Sequence, residues 1–470
     1  MCLVLIVGTR CPAADLPQAD PTAWDRIDLD GRQVGQATVT TRVEDTLVTT
    51  EEHLRIDFGF GGQSDFLETR TVWVEDAAGV PLRYSHRSAT RSKTGTIEAV
   101  NKDGVLAIES RDGRSVQSSE LPLPPQAVFP HALRQRVRAR PADAPAPLDV
   151  YVFDPLRLRF ERQRMMPEPD VVPPDAALRS WRLLGADAAP LGILYWHAGN
   201  GRFLRSLQLA GQTLDRRPCP RACPRPDTEP PDLFVGLLRA SPFHIGDALR
   251  HERLRFVLRH RQDAAAPPNT FEQDVRVHAG RIVLTICADC GREPAPSPAE
   301  LDRYRLPNAW VQSDDPQIMH MARGADHPGT VPARMARLVR LVQVHMNGEV
   351  ELAQYADAVT AMRMRSGDCT EFAVLLAALA RARGIPTRVV AGLSYSDHFG
   401  GRRDVFVPHT WVQAWTGVRW QSFDAALGEF DSGHIALAIG DGHPDSYTGV
   451  LRATRQVEII GGGLIKPSPQ

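Results

Sequence analysis

The chain has 470 residues, 43% of them hydrophobic and 24% charged, with a formal net charge of −1. That length allows about two to four domains, and the composition is that of an ordinary globular protein with a large core. The even charge balance excludes a strongly basic nucleic-acid binder. No run after the N-terminus approaches the roughly 18 apolar residues of a membrane span.

Residues 1–14 read as a short or truncated export signal. Residues 3–8 (LVLIVG) are apolar, and the small residues Cys11 and Ala13 fit a signal-peptidase site. The run lacks a basic segment before it, so the alternative is no signal at all. Arg10 directly before Cys11 makes a lipid-attachment site a poor fit. An export signal implies a periplasmic or secreted protein.

Residues 15–225 read as β-rich N-terminal modules. QATVTTRVE, HLRIDFGF and TRTVWVED alternate apolar and polar residues and end at turn signals. Asp-Gly pairs at 30–31, 103–104 and 112–113 predict tight turns. Further strands are expected in DVYVFDPLRL, RSWRLLG and GILYWHAGNGRFLRSLQLA, with Asn200-Gly201 turning a hairpin. The Pro-rich stretches 121–147, 166–175 and 217–231 are expected to be long connections. Residues 226–300 form a bridging segment with strands in LRFVLRH, TFEQDVRVH and RIVLTIC.

Seven cysteines are present. Cys219 and Cys223 lie in a Pro-rich loop, and Cys287 and Cys290 form CADC. Two close pairs could bind zinc or stand as disulfides or free thiols. Three intervening residues in a Pro-rich loop make a poor zinc knuckle, so disulfides or free thiols are expected. No metal and no cofactor is expected.

From residue 301 to 470 the texture becomes helical, then β. In VPARMARLVRLVQVHMN, residues Met335, Leu338, Val339, Val342 and Met346 share one face. In ELAQYADAVTAMRM, residues Leu352, Tyr355, Ala356, Val359 and Met362 do the same. The next stretch, GDCTEFAVLLAALARARGIP, is apolar on all sides and predicts a buried helix. Asp368 and Glu371 have capping-box spacing, and Gly384 with Pro386 ends the helix. Cys369 then falls at the first helical position. There the unpaired N–H groups and the positive end of the helix dipole are expected to favour thiolate over thiol. Asp368 opposes this in charge.

RVVAGLSYS is a strand, and VFVPHTWVQAW with WQSFDAAL forms a hairpin around Thr416–Arg419. Pairing Trp415 with Trp420 sets Trp411 opposite Asp424. Asp424 then lies one diagonal step from His409 on the same face, roughly 7–8 Å away at the backbone. A carboxylate behind an imidazole is what a nucleophilic thiol requires. His409 would take the Cys369 proton, and Asp424 would fix the tautomer and support the imidazolium. His398, His434 and His443 are not expected to be ligands, since none has a carboxylate or second histidine three or four residues on.

GDCTEFAVLLAALARARGIPTRVVAGL, followed by PHTWVQAW and RWQSFDAAL, resembles the transglutaminase-like superfamily. The resemblance is strong over about 365–430 and looser over 300–450. It includes Gly367 before the cysteine, the turn Gly384–Pro386 and an aromatic residue, Trp411, two after the histidine. It implies an α+β fold: N-terminal antiparallel β modules, then a papain-like core whose Cys-bearing helix packs on an antiparallel sheet carrying His and Asp. It also implies Cys369 as nucleophile, His409 as base and Asp424 as orienting acid, working through a thioester on amide bonds of a peptide or protein substrate. The sequence is similar to bacterial members, since Thr370 stands where animal cross-linking enzymes have Trp. Peptidase or amidase action, cross-linking, and a catalytically silent binding or assembly role with β docking modules all stay open.

Overall fold

The computed structural model describes residues 22–466, apart from short stretches at 61–62, 92–93, 113–114, 156, 210–211, 233–234, 279 and 326–327 and longer ones at 140–146, 168–177, 185–189, 198–202, 220–222, 224–230, 260–265, 347–355, 445–449, 451–453 and 455–456. The segment read as an export signal lies outside the described residues. So do Cys2, Cys11, the Asn200-Gly201 turn and the start of the helix expected from Glu351.

Fifteen described strands between Thr22 and Cys219 form one sheet. Eight of them run as an up-and-down meander from Thr22–Leu29 to Ser115–Pro122. The others run back, so that Gln212–Cys219 pairs with Thr22–Leu29. The Asp-Gly turns drive the meander: Asp30 and Gly31, and Asp103 and Gly104, all have positive φ, as a two-residue hairpin turn requires. The sheet curls on itself. Tyr84 and Phe153 stand ten strands apart in the ladder, yet their rings meet edge to face at 5.0 Å. Together with Ala99, Leu106, Ile108 and Phe129 they form one buried cluster inside the curl.

One expected connection contains a helix. Pro130–Arg138 lies within the Pro-rich stretch 121–147, with Pro130 at the start, where its missing N–H matters least. The Glu75 carboxylate accepts from the His131 and Ala132 amides at 2.9 and 2.8 Å and so fills the cap. That partner comes from another strand, which is why local sequence did not reveal the helix.

Beyond this sheet, Leu254–Arg259 pairs on one side with Arg281–Ile286 and on the other with Ile459–Leu464. The remaining core is a sheet centred on two long strands, Thr387–Phe399 and Arg402–Trp415. His434–Gly440 flanks the first; Arg239–Ala240 and Trp420–Phe423 flank the second. Helices cover one face. Val331–His345 buries Met335, Leu338, Val339 and Val342, the face its periodicity predicts. Cys369–Ala382 is buried along nearly its whole length and packs with them around Val389, Val412 and Ala414. The chain is therefore α+β, with an antiparallel β-rich front half and a core of helices on an antiparallel sheet. Among the described residues no helix is long and apolar enough to cross a membrane.

Candidate active site

The site starts with the helix Cys369–Ala382. Its capping box is complete. The Asp368 side chain accepts from the Thr370 amide at 2.8 Å, and Glu371 Oε2 accepts from the Asp368 amide at 2.9 Å. Glu371 Oε1 accepts from the Ala356 amide at 2.9 Å, which ties the preceding segment to the helix start. Gly367 is required here. Its φ is +152°, and a Cβ would lie 2.6 Å from Glu371 Cβ. Gly367 and Asp368 thus shape the corner that presents Cys369.

Cys369 is half-buried and has no disulfide partner. It lies against a gap on the outer edge of the strand Arg402–Trp415. That edge pairs with Arg239 at Phe406 and with Phe423 at Val412, which leaves 407–411 without a strand partner there. The Thr410 backbone N–H, next to His409, donates to the sulfur. The expected thiolate is not favoured. Desolvation and the charges of Asp368, Asp424 and Glu371 push the thiol well above its ordinary value and outweigh the Thr410 N–H. The group at rest is a thiol.

Trp415 pairs with Trp420, and the ladder runs to Val412 opposite Phe423. Asp424 follows directly and turns its carboxylate onto His409: Nε2 to Oδ2 is 2.5 Å, with both residues buried. Nδ1 is thereby the ring nitrogen left for other chemistry. Trp411 stacks on the His409 ring at 6.1 Å and donates through Nε1 to Ser422 Oγ at 3.3 Å. Opposite His409 stands Gly392, where a Cβ would come within 2.0 Å of the Ile435 carbonyl; only glycine lets His434–Gly440 approach. The structure thus brings His409 and Asp424 into direct contact and sets Cys369 beside the residue that follows His409. Among the described residues no hydrogen bond joins Cys369 to His409.

The other Asp424 oxygen, Oδ1, accepts from the Ala426 and Leu427 amides at 2.8 and 3.0 Å. Oδ2 also meets His434 Nε2 at 3.1 Å. Burial alone would push the Asp424 carboxyl up. The charge and hydrogen bonds of the two histidines outweigh it and hold the carboxyl well below the usual range.

Two groups in this site were not expected. His434 was set aside as a ligand for want of a helical partner, yet it opens a strand beside the acid. Glu272 is buried, and its carboxylate accepts from the Ser422 amide at 2.9 Å and from Ser422 Oγ. It holds the strand that leads into Asp424. Burial pushes Glu272 up against those donors. The one local signal for His434 is Asp431 three residues before it, a spacing that lets the imidazole bond back across a turn. Glu272 carries none, because its partner lies 150 residues away.

His409, Asp424 and His434 bring their ligand atoms within 4.8 Å of one another. Two ligands of one tetrahedral zinc at about 2.0 Å stand about 3.3 Å apart; the 2.5 Å contact is a hydrogen bond instead. A cavity of about 380 Å³ is lined by Asp424 and, among others, Glu272, Arg340, Arg419 and Phe423. Of the other thiols, Cys219 and Cys223 form a disulfide, and Cys287 and Cys290 are free.

Residues 320–425 match the family described as the transglutaminase-like superfamily. Among solved structures, a candidate cysteine protease from Cytophaga hutchinsonii is 17% identical over 46% of this chain and 84% of its own, with a TM-score of 0.28. A β-barrel-like protein of a domain of unknown function from Brucella abortus is 13% identical over 42% of this chain and 95% of its own, with a TM-score of 0.33. Both overlaps are too loose to carry over any residue. No curated protein matches.

Proposed function

Starting from a chain whose residues 320–425 form a transglutaminase-like core, we propose that it is a cysteine-dependent acyl-transfer enzyme acting on amide bonds. The observation that carries this reading is the 2.5 Å contact of His409 Nε2 with Asp424 Oδ2, beside a helix tip that presents Cys369. Asp424 fixes the tautomer with the proton on Nε2, so Nδ1 is the base. Nδ1 takes the thiol proton as sulfur attacks the amide carbonyl; the C–N bond breaks, and the proton leaves with the amine. A thioester remains and passes its acyl group to water or to an amine. The backbone N–H of Cys369 is a natural donor to the developing oxyanion. Because the resting group is a thiol, proton removal by His409 is part of the attack. A catalytic contact that is long in the unliganded protein closes when substrate binds. A peptidase or amidase acting on a peptide or protein is the reading we favour. The Cys219–Cys223 disulfide supports an oxidising, exported location.

The raised thiol also suits a second reading, a transglutaminase-like fold that binds without turning over. Iodoacetamide at neutral pH separates the two. In an enzyme, His409→Ala slows the labelling of Cys369 in the folded protein. Labelling that is the same in wild type and His409→Ala would leave a binding protein. Ammonia or peptide release, compared with incorporation of an amine probe into a glutamine peptide, then separates hydrolysis from cross-linking.

A further inference from the structure

His434 opens the strand His434–Gly440, beyond the segment that matches the family, and is almost wholly buried. Both its ring nitrogens face carboxylates. Nε2 lies 3.1 Å from Asp424 Oδ2, and Nδ1 lies 2.9 Å from Asp431 Oδ1. Nδ1 is also 3.1 Å from the Asp431 carbonyl and 3.2 Å from its amide; the two nearer oxygens favour a proton on Nδ1. Asp431 in turn pairs with Arg250 at 2.8 Å. The ring is packed by Trp411 at 5.1 Å, Phe430 at 5.0 Å and His409 at 5.6 Å.

A neutral imidazole carries one N–H and can donate to one of these acids only. The imidazolium donates to both. Burial opposes that charge, but the hydrogen bonds and charges of Asp424 and Asp431 prevail and raise His434 to about 9. The ionisable groups facing it are Asp424 and Asp431 from the loop before its strand, His409 from Arg402–Trp415 and, through Asp431, Arg250; Cys369 stands beyond Asp424.

We propose that His434 is a positioning residue: held as a cation between Asp424 and Asp431, it fixes the carboxylate that orients His409. This rests on the triad reading above. Asp424 has its Oδ1 pinned by two backbone amides, and His434 meets Oδ2 beside His409. Contacts on both oxygens hold the carboxylate in one orientation and so fix the hydrogen-bonding direction it offers the His409 ring. When the imidazolium loses a proton, one of its two acids is released.

The test uses the full chain labelled with ¹⁵N-histidine. The reactive quantity is the rate of Cys369 alkylation by iodoacetamide, taken as a ratio to the rate in His409→Ala at the same pH. At pH 7 both His434 ring nitrogens should be protonated, and the ratio should fall as pH passes about 9. Asp431→Asn removes one of the two anions and should move that fall down by about one unit or more. His434→Gln should lower the ratio by about tenfold or more and abolish the fall. A neutral His434 at pH 7, or a fall that stays in place in Asp431→Asn while the ratio stays above one at pH 7, overturns the proposal alone. A ratio of one in wild type overturns the triad and this role with it. If His434→Gln does not fold, the wild-type spectrum and Asp431→Asn still decide.

Discussion

At the scale of single residues, charge and burial decide what the site is at rest. Cys369 stands where a helix end offers positive potential, yet desolvation and three carboxylates leave it a thiol. A dipole contribution of the order of 1 kcal/mol does not offset several unfavourable charges in a poorly solvated corner. Asp424 is the residue whose loss should matter most to stability. Asp424→Ala leaves a buried imidazolium with one acid fewer and should destabilise the protein by about 3–5 kcal/mol; a urea midpoint equal to wild type would show that no charge is stranded. The pH dependence has a definite sign. The folded His434 is raised from 6.5 to about 9, so its contribution is complete below pH 6.5 and disappears as pH rises through about 9. Asp431 is lowered from 3.8 to about 2, so its contribution is complete above 3.8 and lost as pH falls toward 2. Urea midpoints should therefore decline on both sides of a plateau, and His434→Gln should flatten the alkaline side.

At the scale of elements, the start of the cysteine helix is the most constrained point. Gly367→Ala combines a left-handed backbone with a Cβ 2.6 Å from Glu371. It should cost about 1–3 kcal/mol and displace the corner that carries Cys369. A thermal melt reads the first effect, and the Cys369 alkylation rate reads the second. An unchanged melt would mean that the corner yields freely. Asp368→Ala should cost about 1 kcal/mol through its cap alone. Much of this was legible beforehand. The capping spacing at Asp368 and Glu371, the helical face of Val331–His345 and the register from Trp415 and Trp420 all depend on residues a few positions apart. The helix Pro130–Arg138 was not, because its cap, Glu75, comes from a distant strand.

At the scale of the whole molecule, a buried carboxylate stands among the contacts between the β sheet and the transglutaminase-like core. Asp357 caps Ala358–Met364 by accepting from the Thr360 amide at 2.9 Å. Its other oxygen lies 3.3 Å from both Arg157 and Arg159, which flank a turn of the sheet. Arg157 also covers the Trp310 ring at 4.5 Å. The next helix begins at Cys369, so this junction lies one helix before the candidate active site. Asp357→Ala should take one of two carboxylate partners from each of Arg157 and Arg159, lower the melting temperature and speed proteolytic separation of sheet from core. Digestion at the wild-type rate would mean that the junction is a surface contact of little consequence.

The sequence by itself determined the local pieces: hairpins at Asp-Gly turns, a capped apolar helix with a cysteine at its tip, and a strand pair whose turn brings His409 and Asp424 to one face. Each rests on interactions within about fifteen residues, where spacing and backbone geometry are enough. Only the tertiary structure decided that the thiol is held protonated, that Glu272 braces the strand into Asp424, and that Asp424 is shared with His434 and, through Asp431, linked to Arg250. Those depend on burial and on charges brought together from segments as much as 181 residues apart, and neither is written in the order of neighbouring residues.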